Sequence, residues 1–355
     1  MDKKELLKFI GSNSISIVEA MTKIDENAKG ILFVVDSDDR LVGCITDGDI
    51  RRWLIKTGDL SASVEKAMNK KPAQIEKANI GQAAKLFAEK SITALPVTLD
   101  GMVVDVLFTA SSGGQVKHKR SLAGIPVVIM AGGKGTRLYP YTKILPKPLI
   151  PIGDTPILER ILNSFHEYKI DDFYLTVNYK SGMIKSYFAD GSFPYRVHYV
   201  DETIPLGTGG SLKLIKEKFT TPIFVSNCDS LAIADYGEIF DYHVNAKNAI
   251  TVVAALKNVT IPYGVMHTKE NGELVTMEEK PKLSYMINTG MYIVNPDMIK
   301  KIPDNRMYHM TDLIDQVMKD GEKIGVYPIS EDSFLDMGEF SEMKRMEEKL
   351  HIIVE

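Results

Sequence analysis

The sequence predicts an α/β protein with two parts: a smaller α+β pair, then a mostly parallel sheet flanked by helices. Three observations carry this. From residue 125 onward, short apolar runs alternate with amphipathic helical patterns, the texture of a sheet covered on both faces. Before residue 115 a unit of about 55 residues occurs twice in faint form, each copy reading as helix, strand, turn, strand, helix. Between them, SSGGQVKHKRSLAG over 111–124 is polar, basic and without hydrophobic period, the signature of a linker. The expected organisation is a pair over 1–115 (copies at 8–60 and 61–113), a linker over 116–124 and a larger domain over 125–355.

Composition allows this and excludes several alternatives. A chain of 355 residues has room for two domains, and 44% hydrophobic with 25% charged residues suits packed globular cores. Lys and Arg total 43 against 47 Asp and Glu, a net charge of −4, which argues against nucleic acid or a membrane surface as partner. Cys44 and Cys228 stand far apart and form neither a disulfide framework nor a paired metal spacing. The start, MDKKELLKFIG, lacks the apolar core of a signal peptide, and no apolar run approaches the roughly 20 residues of a membrane span. The expected location is the cytoplasm.

In the larger part, strands are predicted at PVVIM, FYLTVNY, PIFVSNC and AITVVAAL, and helices at PILERILNSFHEY, SLKLIKEKF and DYGEIFDYHVNA. In the smaller part, copy one places two strands around Asp36-Ser37-Asp38-Asp39, with Asp49 near the start of a helix through Arg51 and Trp53. Copy two repeats the strand pair around Asp100-Gly101, a hairpin signal. Helical patterns SIVEAMTKI and IGQAAKLFAEK precede the two copies.

This smaller part resembles a tandem CBS-domain pair, a regulatory module that binds adenine nucleotides or related ligands. Gly43-Cys44-Ile45-Thr46-Asp47-Gly48-Asp49 matches the family's G-x-x-T-x-x-D ribose pattern. The resemblance implies that Thr46 and Asp49 hold a ribose while the following helix start receives a phosphate. The alternative is that both only cap that helix. Copy two has Thr109 without the later aspartate, so one regulatory nucleotide per pair is expected. CBS pairs commonly associate face to face, which makes this module the expected interface of a homodimer.

The chemistry concentrates after the first strand of the larger part, in MAGGKGTRLYPYTKILPKPLIPIGDTPILERIL. Open α/β sheets hold their sites at the carboxyl ends of strands, where this loop begins. Gly132, Gly133 and Gly135 let the backbone approach a triphosphate with amides turned inward. Arg137 and Lys147 add fixed and mobile positive charge. Two rival motifs fail on single residues. Lys134 is followed by Gly135 rather than a hydroxyl residue, which removes the P-loop; Leu138 stands where a dinucleotide loop needs glycine.

The segment Gly132-Gly133-Lys134-Gly135-Thr136-Arg137-Leu138-Tyr139-Pro140-Tyr141-Thr142, then Pro146-Lys147-Pro148, resembles the sugar-nucleotide pyrophosphorylase signature. The resemblance covers nearly all of 125–345 and implies a Rossmann-like mixed, mostly parallel sheet carrying a sugar-1-phosphate nucleotidylyltransferase site. By it, Arg137 and Lys147 are catalytic. Met130, Gly132, Gly133, Gly135, Thr136, Pro205, Gly207 and Thr208 bind the nucleotide. Asp229 and Asp336 ligate Mg²⁺, and Gly264, Glu279, Lys280 and Asn288 bind the sugar phosphate.

The implied reaction joins an NTP to a sugar-1-phosphate and releases pyrophosphate. The sugar phosphate is itself an anionic nucleophile, so positioning and cationic stabilisation suffice and no Ser-His-Asp or Cys-His arrangement is required. The Leu206-Gly207-Thr208-Gly209-Gly210 loop is similar to the mannose-1-phosphate guanylyltransferase branch. A CBS pair ahead of such a domain resembles guanylyltransferases that activate glucosamine- or N-acetylglucosamine-1-phosphate for nonulosonic (legionaminic) acid synthesis. GTP with a hexosamine-1-phosphate is the expectation; mannose-1-phosphate with GTP, or CTP or UTP in its place, are the alternatives. The chain stops soon after MGEFSEMKRMEEKL, so a further β-helical acyltransferase domain is not expected. A catalytically silent nucleotide sensor is the reading from another class, and loss of Arg137, Lys147 or Asp229 would have favoured it.

Overall fold

The computed structural model describes residues 1–109, 119–338 and 340–350 and divides into two compact units. One comprises Met1–Lys117 with Leu256–Met286, the other His118–Ala255 with Ile287–Glu355. Leu256–Met286 lies in mid-sequence of the region read as the larger domain, yet its contacts group it with the first unit. The linker expected at 116–124 falls partly outside the described residues, as does the stretch after Thr109 where copy two's last helix was expected.

In the first unit, β1 (Ile10–Ser12), α1 (Ile17–Asn27), β2 (Ile31–Val35), β3 (Leu41–Thr46) and α2 (Asp47–Thr57) form the first copy. Its three strands pair in the order β1-β2-β3, parallel then antiparallel. Ser16 and Glu19 form a reciprocal capping box that starts α1. Behind this frame Ile17, Leu32, Val34 and Ile45 are fully buried, together with Leu256 from the later segment. The second copy repeats the pattern with β4 (Ile75–Glu76), α3 (Ala83–Lys90), β5 (Ala94–Leu99) and β6 (Met102–Phe108). Asp100 and Gly101, between β5 and β6, both have positive φ, the backbone that a two-residue hairpin turn demands.

The second unit is built on β7 (Val127–Ala131), α4 (Ile157–His166), β8 (Asp172–Val177), α5 (Ser181–Asp190), β9 (Arg196–Asp201) and β10 (Ile223–Asn227). After them in the chain come β11 (Ser230–Ala232), α6 (Tyr236–Ala246), β12 (Ile250–Thr260), the hairpin β13 (Gly264–Thr268) with β14 (Leu274–Glu279), which belongs to the first unit, and β15 (Lys282–Val294). The chain closes with α7 (Met310–Lys319), β16 (Ile324–Ile329), β17 (Phe334–Asp336) and α8 (Phe340–Lys349). One seven-stranded sheet runs in the order β9-β8-β7-β10-β15-β12-β16. Its pairings are parallel at β9-β8, β8-β7, β7-β10 and β12-β16, and antiparallel at β10-β15.

Every residue of β7 is buried. Val127, Ile129 and Ala131 point into one apolar layer, while Val128 and Met130 point into the other. A strand covered on both faces has no polar face, which is why VVIMA is an unbroken apolar run. On the first face the Phe165 ring of α4 meets Phe224 at 5.3 Å, Tyr236 at 4.5 Å and Phe173 at 6.5 Å between centroids.

One expected helix is absent. SLKLIKEKF forms a single 3₁₀ turn over Ser211–Leu214 and is then irregular. Leu212 goes into the core and Ile215 and Phe219 pack beside it, so burial of these side chains overrides the helical spacing.

Phe165→Ala should destabilise the second unit by about 3–5 kcal/mol through lost burial and a cavity among three aromatic rings. Chemical denaturation would measure it, and a loss under about 1 kcal/mol would contradict this account of the layer.

Candidate active site

The strand order creates the site. The chain proceeds outward from β7 to β8 and β9, then returns to add β10 on the other side of β7. Strand order reverses between β7 and β10, and open α/β sheets bind ligands outside the carboxyl ends of strands at such a switch point. Met130 of β7 is in register with Thr176 of β8 on one side and Asn227 of β10 on the other. All three line a cavity of 430 Å³, together with Gly132, Gly133, Gly135, Thr136, Arg137, Lys147, Cys228, Asp229, Pro205, Gly207, Thr208 and others. The expected catalytic and nucleotide-binding residues are therefore all brought to one cavity.

Two glycines of the loop have different reasons to be glycine. Gly135 has φ +64°, and a Cβ there would stand 2.9 Å from Lys147 Cβ and 3.0 Å from Thr142 Cγ2. Gly133 has nothing within 4 Å of such a Cβ and ordinary φ, so its lack of side chain serves open space in front of the cavity. Pro146 and Pro148 are buried on either side of the half-buried Lys147, which pins the lysine backbone while its ammonium reaches inward. That ammonium donates to Asp229 Oδ2.

Asp336 comes from sequence more than a hundred residues beyond Asp229, and a small antiparallel ladder brings it in. Ser230 of β11 pairs with Asp336 of β17, and the Met337 N–H donates to the Asp229 carbonyl at 2.8 Å. Burial and then the nearby Asp229 charge hold the Asp336 carboxyl above the usual carboxylate range, with Lys147 and Arg137 pulling the other way. Gly338 keeps the space open, since a Cβ there would sit 3.0 Å from Asp336 Oδ2. Asp229 lines the cavity and Asp336, outside its lining, stands next to Asp229; two adjacent carboxylates suit a hard divalent cation that takes its remaining oxygens from substrate and water. No group of three or more His, Cys, Asp or Glu side chains is gathered for a metal among the described residues, so the protein alone does not complete a coordination shell.

The other side of the cavity has a different character. The Leu206–Gly210 loop is held against the segment before α7: Gly209 and Gly210 N–H donate to the Tyr308 carbonyl at 2.9 and 2.8 Å, and Tyr308 N–H donates to the Leu206 carbonyl at 2.8 Å. A Cβ on Gly207, whose φ is +76°, would meet the Tyr308 carbonyl at 2.8 Å. The Thr208 hydroxyl accepts from Met310 N–H at the start of α7. These glycines thus serve backbone-to-backbone packing at the cavity wall. Glu202, Thr176, Ser211, Met307 and His309 also line it and were not singled out in the sequence. Glu202 follows the half-exposed strand β9, RVHYVD, so no apolar run along the chain marked it.

The residues expected for the sugar phosphate are placed otherwise. Gly264 pairs with Glu279 across the β13-β14 hairpin, and Lys280 follows with φ +48°. All three belong to the first unit, where Glu279 and Lys280 line a groove with Ser16, Glu19 and Lys23 of the first copy. Asn288 is in the second unit, but its amide donates to the Tyr292 hydroxyl and its Oδ1 accepts from Gly290 N–H, and it is outside the cavity lining. In the first copy, Thr46 and Asp49 form a capping box on α2, and Asp49 also pairs with Arg52. Cys44 and Cys228 are buried; burial pushes the Cys44 thiol up to about 11 and raises Cys228 as well. No helix among the described residues is long and apolar enough to cross a membrane.

With this geometry in place, the comparisons with known proteins agree. The family model for nucleotidyl transferases matches residues 126–351, and the chain belongs to that family. A CBS-domain model matches residues 12–56. A UTP–glucose-1-phosphate uridylyltransferase of Synechocystis is 34% identical over 236 residues, 59% of this chain and 59% of that protein. A mannose-1-phosphate guanyltransferase of Debaryomyces hansenii is 34% identical over 186 residues, 49% of this chain and 51% of that protein. The chain thus spans between half and three fifths of the length of these curated relatives. Among solved structures, HddC from Yersinia pseudotuberculosis shares the fold, with a TM-score of 0.51 and 24% identity over 64% of this chain and 99% of the other.

Gly133→Ala should leave the melting temperature within about 1 °C while weakening nucleotide binding at least about tenfold, because its Cβ enters ligand space alone. Gly135→Ala should instead cost about 1–3 kcal/mol of stability through backbone strain and crowding. Thermal melts with and without nucleotide separate the two; equal behaviour of both variants would remove the distinction.

Proposed function

We propose that this protein is a sugar-1-phosphate nucleotidylyltransferase, with GTP as nucleotide and a hexosamine-1-phosphate as acceptor. The observation that carries the reaction class is the convergence of Arg137, Lys147 and Asp229 beside a glycine loop at the switch point of the sheet, with Asp336 brought next to Asp229 by the β11–β17 ladder. Catalytic silence, the competing reading, has no support in a site that keeps all four.

The chemistry is an in-line displacement. An oxygen of the sugar phosphate bonds to the α-phosphorus of the NTP, the bond from that phosphorus to the bridging oxygen of the β-phosphate breaks, and pyrophosphate leaves with its electron pair. The nucleophile arrives ionised, so no protein base is needed. Loop amides around Gly133 and Gly135 cradle the phosphates, and Arg137 neutralises charge on the leaving side. Lys147 is positioned to meet the charge that builds on the α-phosphoryl group. Asp229 and Asp336 would hold Mg²⁺, whose chemistry is to neutralise the triphosphate and stabilise departing pyrophosphate. For the sugar phosphate, the assignment of Gly264, Glu279, Lys280 and Asn288 rests on motif resemblance.

The choice of GTP is supported by the likeness of the Leu206–Gly210 loop to guanylyltransferases and by guanyltransferase relatives such as the Debaryomyces hansenii protein. That same likeness supports mannose-1-phosphate as the second candidate acceptor, and the uridylyltransferase relative makes UTP the first competitor. For the N-terminal part, a tandem CBS pair that binds one nucleotide at Thr46 and Asp49 and pairs two chains is the reading supported by the repeated three-stranded sheets.

A panel of NTPs against sugar-1-phosphates, read by pyrophosphate release, should show highest turnover with GTP and a hexosamine-1-phosphate, and none after chelation of divalent metal. Lys147→Ala should lower kcat/KM by about 10²–10³. Turnover near wild type in that variant would take Lys147 out of the chemistry.

Asp49→Ala should abolish binding of a nucleotide to the full chain's CBS part, measured by calorimetry with adenine, guanine and cytidine nucleotides. It should also cost about 1 kcal/mol of stability from the lost cap. Loss of stability with unchanged binding would leave Asp49 with the capping role alone.

A further inference from the structure

Within the first unit, a groove of 790 Å³ runs between α1 and the segment 278–284. We propose that this groove binds a phosphorylated amino sugar as an effector, with Lys23 and Lys282 on its phosphate and Glu26 and Glu278 on its ammonium and hydroxyl groups. None of these four residues belongs to the nucleotide, metal or acceptor set. The binding stands independent of the reaction class, whereas its effect on catalysis rests on the acceptor reading of Glu279 and Lys280.

Both walls are fixed before any ligand arrives. The Ser16–Glu19 capping box starts α1, and Ile17, Ala20, Met21 and Ile24 bury its other face in the core of the first copy. Glu19, Lys23 and Glu26, spaced i, i+4 and i+7, therefore form one stripe about 10 Å long on the groove side. On the opposite wall, Lys280 N–H donates to the Tyr263 carbonyl at 3.3 Å and Ile261 N–H to the Pro281 carbonyl at 3.1 Å. The Ser284 hydroxyl donates to Asn258 Oδ1 at 2.6 Å. Pro281 is buried, and Lys280 holds φ at +48°, a conformation that costs a residue with a Cβ and recurs at ligand clamps.

Charge is laid out in two poles. The Ser16 N–H and hydroxyl, then Lys282 and Lys23, hold the Glu19 carboxyl below the usual range, so both ammonium groups stand near this one carboxylate. Its Oε2 already accepts from the Ser16 N–H at 2.7 Å and the Ser16 hydroxyl at 2.8 Å. Neither Lys23 nor Lys282 forms an ion pair among the described residues. Two cations around one satisfied carboxylate leave positive charge in excess. Glu26, about two turns further along α1, and Glu278 of the opposite wall also lack an ion pair among the described residues.

Between the poles the groove is aliphatic, with Ile15, Val18, Leu60 and Leu283 in its lining. No aromatic ring is among the described lining residues, so a nucleobase has no ring to stack on. The C–H face of a pyranose packs on aliphatic side chains without one. A phosphate monoester carries nearly two negative charges near neutral pH and calls for clustered ammonium groups. The ammonium and hydroxyls of an amino sugar are donors, which suits carboxylates that can only accept. A bare anion would face repulsion from the acidic pole, and a neutral sugar would leave the basic pole unused.

Glu279 and Lys280 also line this groove, on the same stretch of chain as Lys282. A ligand lodged against α1 holds that stretch in its groove-bound state, and a ligand acts on catalysis only by favouring one state over another. The effector therefore competes with the sugar-1-phosphate for Glu279 and Lys280 and leaves the NTP site alone.

The direct test is calorimetry on the full-length protein with glucosamine-6-phosphate, beside glucose-6-phosphate and inorganic phosphate. Wild type should bind one glucosamine-6-phosphate per chain, more weakly as salt is raised. Lys23→Ala and, from the other wall, Lys282→Ala should each weaken binding about tenfold. Alanine keeps α1 intact, since it is the best helix former. Glu26→Gln should remove the preference for glucosamine-6-phosphate over glucose-6-phosphate. In turnover assays glucosamine-6-phosphate should raise KM for the sugar-1-phosphate with kcat and the NTP KM unchanged, and Lys23→Ala should abolish that effect at unchanged basal turnover. No binding, or binding that both lysine variants leave intact, overturns the site. Inorganic phosphate bound as tightly as glucosamine-6-phosphate overturns the amino-sugar assignment, and binding without a change in KM overturns the regulatory role. Should no NTP release pyrophosphate, the reaction reading fails by itself and calorimetry still decides the site.

Discussion

Lys147 paired with Asp229, with Asp336 alongside, is the electrostatic contact on which the candidate site depends. Two carboxylates cannot be crowded together in a half-buried pocket without a compensating cation, and the raised Asp336 carboxyl registers that tension. The ladder between β11 and β17 exists to hold Asp336 there, and Gly338 has no side chain because one would push it away. The arrangement is poised for a ligand that arrives with its own negative charge and a divalent cation. Within the protein, the Lys147 ammonium and the Arg137 guanidinium offset its charge.

The cavity works because its wall is built from strand ends of a rigid sheet. Residues in register on β8, β7 and β10 present Thr176, Met130 and Asn227 as a row, so their spacing is set by backbone hydrogen bonding and not by flexible loops. Behind them, an apolar layer on each face locks β7 in place. The glycine loops add what side chains would obstruct: open approach at Gly133, and close backbone contact between the Leu206–Gly210 loop and the start of α7. A site of this kind loses little entropy when substrate arrives, since most of its groups are already ordered.

The first unit follows a different logic. Each copy buries a small apolar face behind three strands, and the Leu256–Met286 segment joins that unit, with Leu256 in its core. Glu279 and Lys280 therefore share a groove with residues of α1. Any change in the first copy that moves α1 reaches side chains that resemble the family's sugar-phosphate recognition element.

What the sequence determined by itself was local. The Gly132–Thr142 signature with Pro146-Lys147-Pro148, the alternation of strands and helices, the Asp100-Gly101 turn and the Thr46–Asp49 cap all depend on residues near one another in the chain, and so does the nucleotidyl transferase class they imply. The tertiary structure decided what depends on strand order and burial. It placed Asp336 beside Asp229 through pairing across a hundred residues, and it put Glu202 on the cavity wall, where its neighbours are Gly132, from the loop after β7, and Thr176 of β8. It replaced the expected helix after Gly210 by a single turn, because Leu212, Ile215 and Phe219 gain more from packing than from helical hydrogen bonds. It also assigned Leu256–Met286 to the unit that precedes it in sequence. Short-range propensity and motif spacing can be read along the chain; which distant groups share a cavity is settled only when the sheet has closed and its cores have filled.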